Sequence, residues 1–179
     1  MADEAPKSVE SFDCLVGSSA QRPVLLGFAS AKLLHALSFA DVLNEDTGRG
    51  YQRRFHSAHS LDFRRYIRGA SSSTIPLTFN LRPTASNGWR VMKGVGRNVV
   101  LEIDRGADRF LAQVDCQHRL GHLADLDTEL PFMCFQGLTE LEETEIFGVI
   151  NGKAKGLSRS LLDFHDAQLC NDLATDRPE

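Results

Sequence analysis

The chain lacks features that would hold it together covalently or anchor it in a bilayer. Its four cysteines, Cys14, Cys116, Cys134 and Cys170, include no CxxC pair and no His/Cys spacing of a zinc site. Reduced thiols in a cytoplasmic protein are the simplest reading. No run approaches the roughly 20 apolar residues that span a bilayer, and MADEAPKSVE at the N-terminus is acidic and polar, unlike a secretory leader. Neither a membrane partner nor export is expected. An excess of one charge is missing too. Lys and Arg number 20 against 24 Asp and Glu, a net charge of -4, so the whole molecule is not drawn to polyanions, although a local basic patch stays open. Internal repeats, low-complexity tracts and linkers are absent. What is present is an ordinary globular composition, 42% apolar and 25% charged over 179 residues, enough for one domain with a core. Residues 1–15 are expected to form a flexible N-terminal tail and residues 16–179 a single domain.

Along the chain, VLLGFA at residues 24–29 predicts a strand. SAKLLHALSFADVL follows with helical spacing and Ser30 as its cap. NEDTGRGYQRRF predicts a loop, SLDFRRYIRG a helix from Ser60 that ends at Gly69, and IPLTFNLRP a strand bounded by Pro83. TASNGW predicts a turn. NVVLEID and RFLAQVD predict two strands joined as a hairpin through RGAD. A helix over RLGHLADLDTEL and a strand over PFMCFQGL come next. TELEETEIFGVINGKAK opens with Thr139 and acids, a favourable helix start, and is expected to end in a turn at Asn151-Gly152. SRSLLDFHDAQLCNDLA reads as a terminal helix. The mixed order points to an α+β domain and away from regular βαβ winding.

Two segments could carry chemistry. In VDCQHR, Asp115 to Arg119 sit where a strand runs into a helix, so backbone amides and side chains converge at one point. Arg119 offers a donor fork for phosphate oxygens, His118 can move a proton near neutral pH, and Asp115 can hold a metal ion or orient the histidine. A thiolate at Cys116, assisted by His118 or Arg119, is a further reading. The plain alternative is that Asp115 caps the helix while Arg119 pairs with an acid. The second segment, GRGYQRRF, gathers Arg49, Arg53 and Arg54 in a glycine-bearing loop that could clamp phosphate or a nucleic-acid backbone. RRYIR nearby adds Arg64, Arg65 and Arg68 on a helix, a run that is as often a solvated face. NGKAK lacks the spacing of a P-loop.

VDCQHRLGHL resembles the DGQHR motif of the DGQHR-domain family, with Cys116 in place of the glycine. GYQRRF, IPLTFNL, LEID and EIFGVINGKAKGLSRSL occur in that family's order around it, so the likeness covers roughly residues 20–165. The family includes DndB-like proteins found with DNA phosphorothioation systems and is similar to ParB N-terminal domains and sulfiredoxin. The resemblance implies a ParB/sulfiredoxin-like α+β domain with a central mixed or antiparallel sheet flanked by helices. Asp115, Gln117, His118 and Arg119 would line a nucleotide or phosphodiester site, with Gln52, Arg53 and Asn151 facing it. It further implies an accessory or regulatory component of a DNA-modification or defence system, with ATP or another nucleotide and Mg²⁺ as ligands. ATP hydrolysis, DNA binding through Arg49, Arg54, Arg64, Arg65 and Arg68, partner proteins of such a system, and homo-oligomers all stay open, as does a degenerate member that contacts only proteins. If the family glycine is needed for positive φ or close approach to phosphate, Cys116 would obstruct it. The sulfiredoxin cysteine precedes its histidine directly, where this chain has Gln117, so that chemistry is not implied.

Overall fold

A computed structural model describes residues 9–19, 21–54, 60–69, 72–83, 88–106 and 109–153. Contacts divide the chain into two compact units, 1–147 and 148–179, and the described part of the second is residues 148–153.

The first unit is built on one mixed eight-stranded sheet. Its strands are β1 (Val9–Ser19), β2 (Arg22–Ser30), β3 (Ser38–Phe39), β4 (Leu77–Leu81), β5 (Trp89–Lys93), β6 (Asn98–Asp104), β7 (Leu111–Asp115) and β8 (Glu129–Gln136), in the spatial order β3-β7-β4-β8-β2-β1-β6-β5. The helices are α1 (Ala31–Leu37), α2 (Ser60–Ile67), α3 (Gln117–Gly121) and α4 (Glu140–Lys153). The α+β expectation holds at this level. β3 pairs parallel with β7, and β4 parallel with β8, while the other ladders are antiparallel.

Period-two patterning makes the core. Along β6, Val99, Leu101 and Ile103 are buried in alternation with less buried neighbours. They join Phe12, Leu25, Phe79, Leu111 and Phe132 beneath Leu34, Ile67, Leu120 and Leu123. β4 departs from alternation: all five residues of LTFNL are buried. It lies between β7 and β8, and Asn80 bonds to Glu143 of α4. A smaller cluster of Val24, Phe135 and Leu138 packs with Ile146 of α4.

Several expectations are corrected. Residues 9–15 of the expected tail belong to β1, which fills the place between β2 and β6. The predicted β6–β7 hairpin does not form, because both edges of β6 are already occupied by β1 and β5, and β7 pairs with β3 and β4. β5, over WRVMK, has no counterpart in the sequence reading. α1 takes Ser30 as its cap, the hydroxyl accepting from Leu33 N–H at 3.3 Å, but it stops at Leu37, where the chain turns into β3. The helix predicted over residues 119–130 ends at Gly121. Leu126 and Thr128 instead turn their carbonyls to the Lys32 and Ala31 amides, both at 2.9 Å, and so satisfy the first turn of α1. α4 begins as expected with a capping box: Thr139 N–H donates to Glu142 Oε2 at 2.8 Å, and Glu142 N–H donates back to Thr139 Oγ1 at 3.3 Å. It continues through Asn151 and Gly152 to Lys153, so no turn forms there. Residues 84–87 of TASNGW and the segment SRSLLDFHDAQLCNDLA lie outside the described residues.

Candidate functional site

The VDCQHR segment is satisfied by its own chain. Arg119 donates through one terminal nitrogen to Ile75 O at 2.8 Å, and through the other to Asp115 O at 2.6 Å and Asp115 Oδ2 at 3.2 Å. The fork that would grip phosphate therefore clamps the loop before β4 to the end of β7. Asp115 has its carboxylate in that pair. A metal ion there would have to displace Arg119, and among the described residues no three His, Cys, Asp or Glu side chains are grouped to hold one. The donor set does not fit the expected Mg²⁺. α3 is only five residues long. Its Gln117 is half-buried and His118 is exposed.

Cys116 caps α3 with φ of -159° and ψ of -1°, a backbone that is neither extended nor left-handed, so no positive φ demands the family's glycine. Its thiol is buried and donates to Thr78 O at 3.6 Å. Burial pushes this thiol well above its ordinary range, against the pull of Arg119, which leaves it protonated and unreactive near neutral pH. Buried and bonded to Thr78, Cys116 is not placed to act as a nucleophile.

The second segment is organised differently. β3 is two residues long and covers β7 only at Leu111 and Ala112. Beyond it, the Gln52 side-chain amide takes the place of a strand, Nε2 donating to Gln113 O and, at 3.4 Å, to Val114 O. Gln52 is 2% exposed, and its Oε1 has no hydrogen-bond partner among the described residues. The loop leading to it is closed by bridges of Val42 with Gln52 and of Asn44 with Arg49. Gly50 sits between them at φ of +82°, where a Cβ would strike the Val42 carbonyl, so only glycine lets the loop close. A cavity of about 830 Å³ opens against this loop, lined by Asn44, Glu45, Asp46, Gln52, Arg53 and Arg54 among others. Arg53 and Arg54 are exposed at its margin, and Arg49 is exposed on the same loop.

Beside Gln52 lies a buried ionic network. Glu143 is 0% exposed and accepts from Asn80 Nδ2 at 2.7 Å, Arg82 Nε at 2.8 Å, an Arg82 terminal nitrogen at 2.6 Å and Tyr51 Oη at 3.2 Å. Arg82 also pairs with Asp41 at 2.6 Å and stacks over the Phe39 ring at 5.1 Å. Burial, followed by the Glu143 charge, lifts the Tyr51 hydroxyl well above its ordinary pKa, and it stays a neutral donor. Its hydrogen bonds to Glu143 and Asp41 hold the Arg82 guanidinium above its usual range, against the opposing effect of burial.

The structure thus brings Gln52, Arg53 and Arg54 together at one cavity, while Asp115, next to the Val114 that Gln52 bonds, is tied to Arg119 of α3. Arg64 pairs with the exposed Asp125 through two bonds at 2.7 and 3.0 Å and donates to His122 O at 3.1 Å. Arg65 and Arg68 are exposed. Asn151 lies within α4 in the second unit. The sequence reading missed Asp41, Asn80, Arg82 and Glu143. One signal was available: Asn80 in β4 and Arg82 just past its end stand two residues apart, a spacing that puts both on one face of an extended segment. Nothing distinguished Glu143 from the glutamates at 140, 142 and 145. No family model, curated protein or solved structure matches the chain.

Proposed function

We propose that this protein is a non-catalytic binding component that takes a phosphate-bearing ligand at the cavity between Val42 and Arg54, in the manner expected of a DGQHR-type accessory protein of a DNA-modification or defence system. The observation that carries this is the Gln52 amide fastened to the Gln113 and Val114 carbonyls, which seats Arg53 and Arg54 at an opening of about 830 Å³. That volume lies within the range of small-ligand sites. Guanidinium forks match phosphate oxygens in geometry as well as charge. Glu45 and Asp46 balance the two arginines, so affinity rests on directed hydrogen bonds more than on a net field. The Asp115–Arg119 clamp favours binding over hydrolysis, since its two groups satisfy each other.

A free nucleotide and a DNA backbone both present such a phosphate, and two titrations separate them. Calorimetry with ATP, CTP and GTP, with and without Mg²⁺, tests the nucleotide. Fluorescence anisotropy of a labelled duplex across a salt series tests DNA, where two arginine–phosphate contacts contribute a log–log slope of about -2. In either case Arg53→Ala/Arg54→Ala is expected to weaken binding at least about tenfold, or roughly 1.4 kcal/mol. Absence of binding in both titrations, or binding indifferent to the double substitution, overturns the proposal.

A further inference from the structure

A second concave site lies at the turn between β5 and β6, which the sequence reading passed over. The turn between β5 and β6 reads KGVGRN. Asn98 N–H donates to Val95 O at 3.1 Å and Gly94 N–H to Asn98 O at 2.9 Å, which closes the turn tightly. Gly96 takes φ of +66° at the first central position, as a primed hairpin turn requires. Val16 N–H donates to Arg97 O at 2.9 Å and staples the turn to β1 beyond the end of their ladder.

Three features of this turn point to an anion. First, a cavity of about 540 Å³ opens beside it, lined by Ser18, Lys93, Arg97 and Asn98 together with the turn backbone, and no Asp or Glu lines it. This contrasts with the Val42–Arg54 cavity, where acids offset the arginines. Second, Lys93 and Arg97, like Arg53 and Arg54 at the first cavity, form no ion pair with any described residue. Third, the successive N–H groups of Val95, Gly96 and Arg97 have no acceptor among the described residues. Consecutive amides around a residue of positive φ form a concavity of partial positive charge suited to oxyanions. The glycines on either side of Val95 leave that backbone unshielded by side chains.

We infer that the β5–β6 turn is a phosphate-binding site, in which the amides of Val95 to Arg97 and the cations of Lys93 and Arg97 hold one phosphate group, with Ser18 and Asn98 as neighbouring hydrogen-bonding side chains. The site does not depend on the proposed Gln52-loop function. The two cavities share no lining residue. A mononucleotide and a DNA backbone both present these phosphate oxygens.

Amide NMR of the full-length protein tests the site with orthophosphate, ATP and a short DNA duplex as separate probes. Orthophosphate is expected to shift the Val95, Gly96 and Arg97 resonances with millimolar affinity, a few kcal/mol. A larger gain for ATP identifies a nucleotide source, and one for the duplex a backbone source. Lys93→Ala/Arg97→Ala should weaken the binding read at these amides at least about tenfold, and Arg53→Ala/Arg54→Ala should leave it unchanged. Because both positions of the turn variant are exposed, its thermal midpoint serves as the check that it folds. Gly96→Ala, which keeps both cations but strains the turn, should also weaken binding. Unmoved amides at 95–97 with all three probes, or shifts that survive loss of both cations, overturn the inference. Shifts confined to residues 42–54 overturn it while leaving the Gln52-loop function standing.

Discussion

Arg82, just past the end of β4, and Glu143, on α4, stand 61 residues apart in sequence and meet as a two-point ion pair, with Arg82 Nε at 2.8 Å from one carboxylate oxygen and a terminal nitrogen at 2.6 Å from the other. The carboxylate is fully buried, and its remaining acceptor sites are used by Asn80 and Tyr51. One pair therefore joins the sheet, the 42–54 loop and α4.

Removing one partner of such a pair leaves a buried charge uncompensated, which costs about 3–5 kcal/mol. Glu143→Ala is expected to lower stability by that amount, a drop of roughly 6–20 °C in thermal midpoint for a domain of this size. Glu143→Gln keeps two hydrogen-bonding positions and leaves Asp41 beside Arg82, so its loss should be smaller. Calorimetric melting of the two variants checks the order.

Arg119 serves as a clamp on Ile75 O and Asp115. Arg119→Ala should cost stability by about 1–3 kcal/mol, the net worth of hydrogen bonds from a charged donor, while phosphate affinity stays within about twofold. Denaturant melts and the nucleotide titration, run on one preparation, check both halves. A tenfold loss of affinity at full stability would return Arg119 to the binding site.

Alkaline pH should loosen the fold before neutral or mildly acidic pH does. Burial holds the Cys14 thiol up to about 11, and places those of Cys116 and Cys134 and the Tyr51 hydroxyl well above their ordinary values. As pH rises past about 9, the unfolded chain releases these protons first, so it binds fewer protons than the native state and stability falls. Each fully buried thiol adds a slope of up to about 1.4 kcal/mol per pH unit once its unfolded form is ionised. Urea midpoints from pH 7 to 11 should be flat below about 9 and fall above it, and Cys134→Ala should flatten the descent.

Cys116→Gly should not improve phosphate binding. The residue's φ of -159° needs no glycine, and its side chain fills a buried position against Thr78. Loss of that packing should cost about 1 kcal/mol or more, read as a lower denaturant midpoint. A gain in ligand affinity would instead show that Cys116 obstructs a phosphate pocket.

Local signals in the chain determined local structure. Ser30 and Thr139 marked two helix starts because a side-chain oxygen within reach of its own backbone amides needs no distant partner. Alternation over NVVLEID marked β6 because one face of the sheet is apolar. The same sequence also placed Gln52, Arg53 and Arg54 in one glycine-bearing loop. Which strands pair was a matter for the tertiary structure: a strand has two edges, and β1, read as tail and mixed loop, took the edge of β6 that local order assigned to β7. Tertiary contacts also decided the tasks of the polar residues. Asp115 to Arg119 looked available for phosphate until the Ile75 carbonyl and the chain's own fold closed on Arg119, and Lys93 and Arg97 went unremarked until the turn between them proved to border a hollow that no described Asp or Glu lines. Residue type sets what a side chain can bond. Only distance in the folded chain decides whether that capacity is already used.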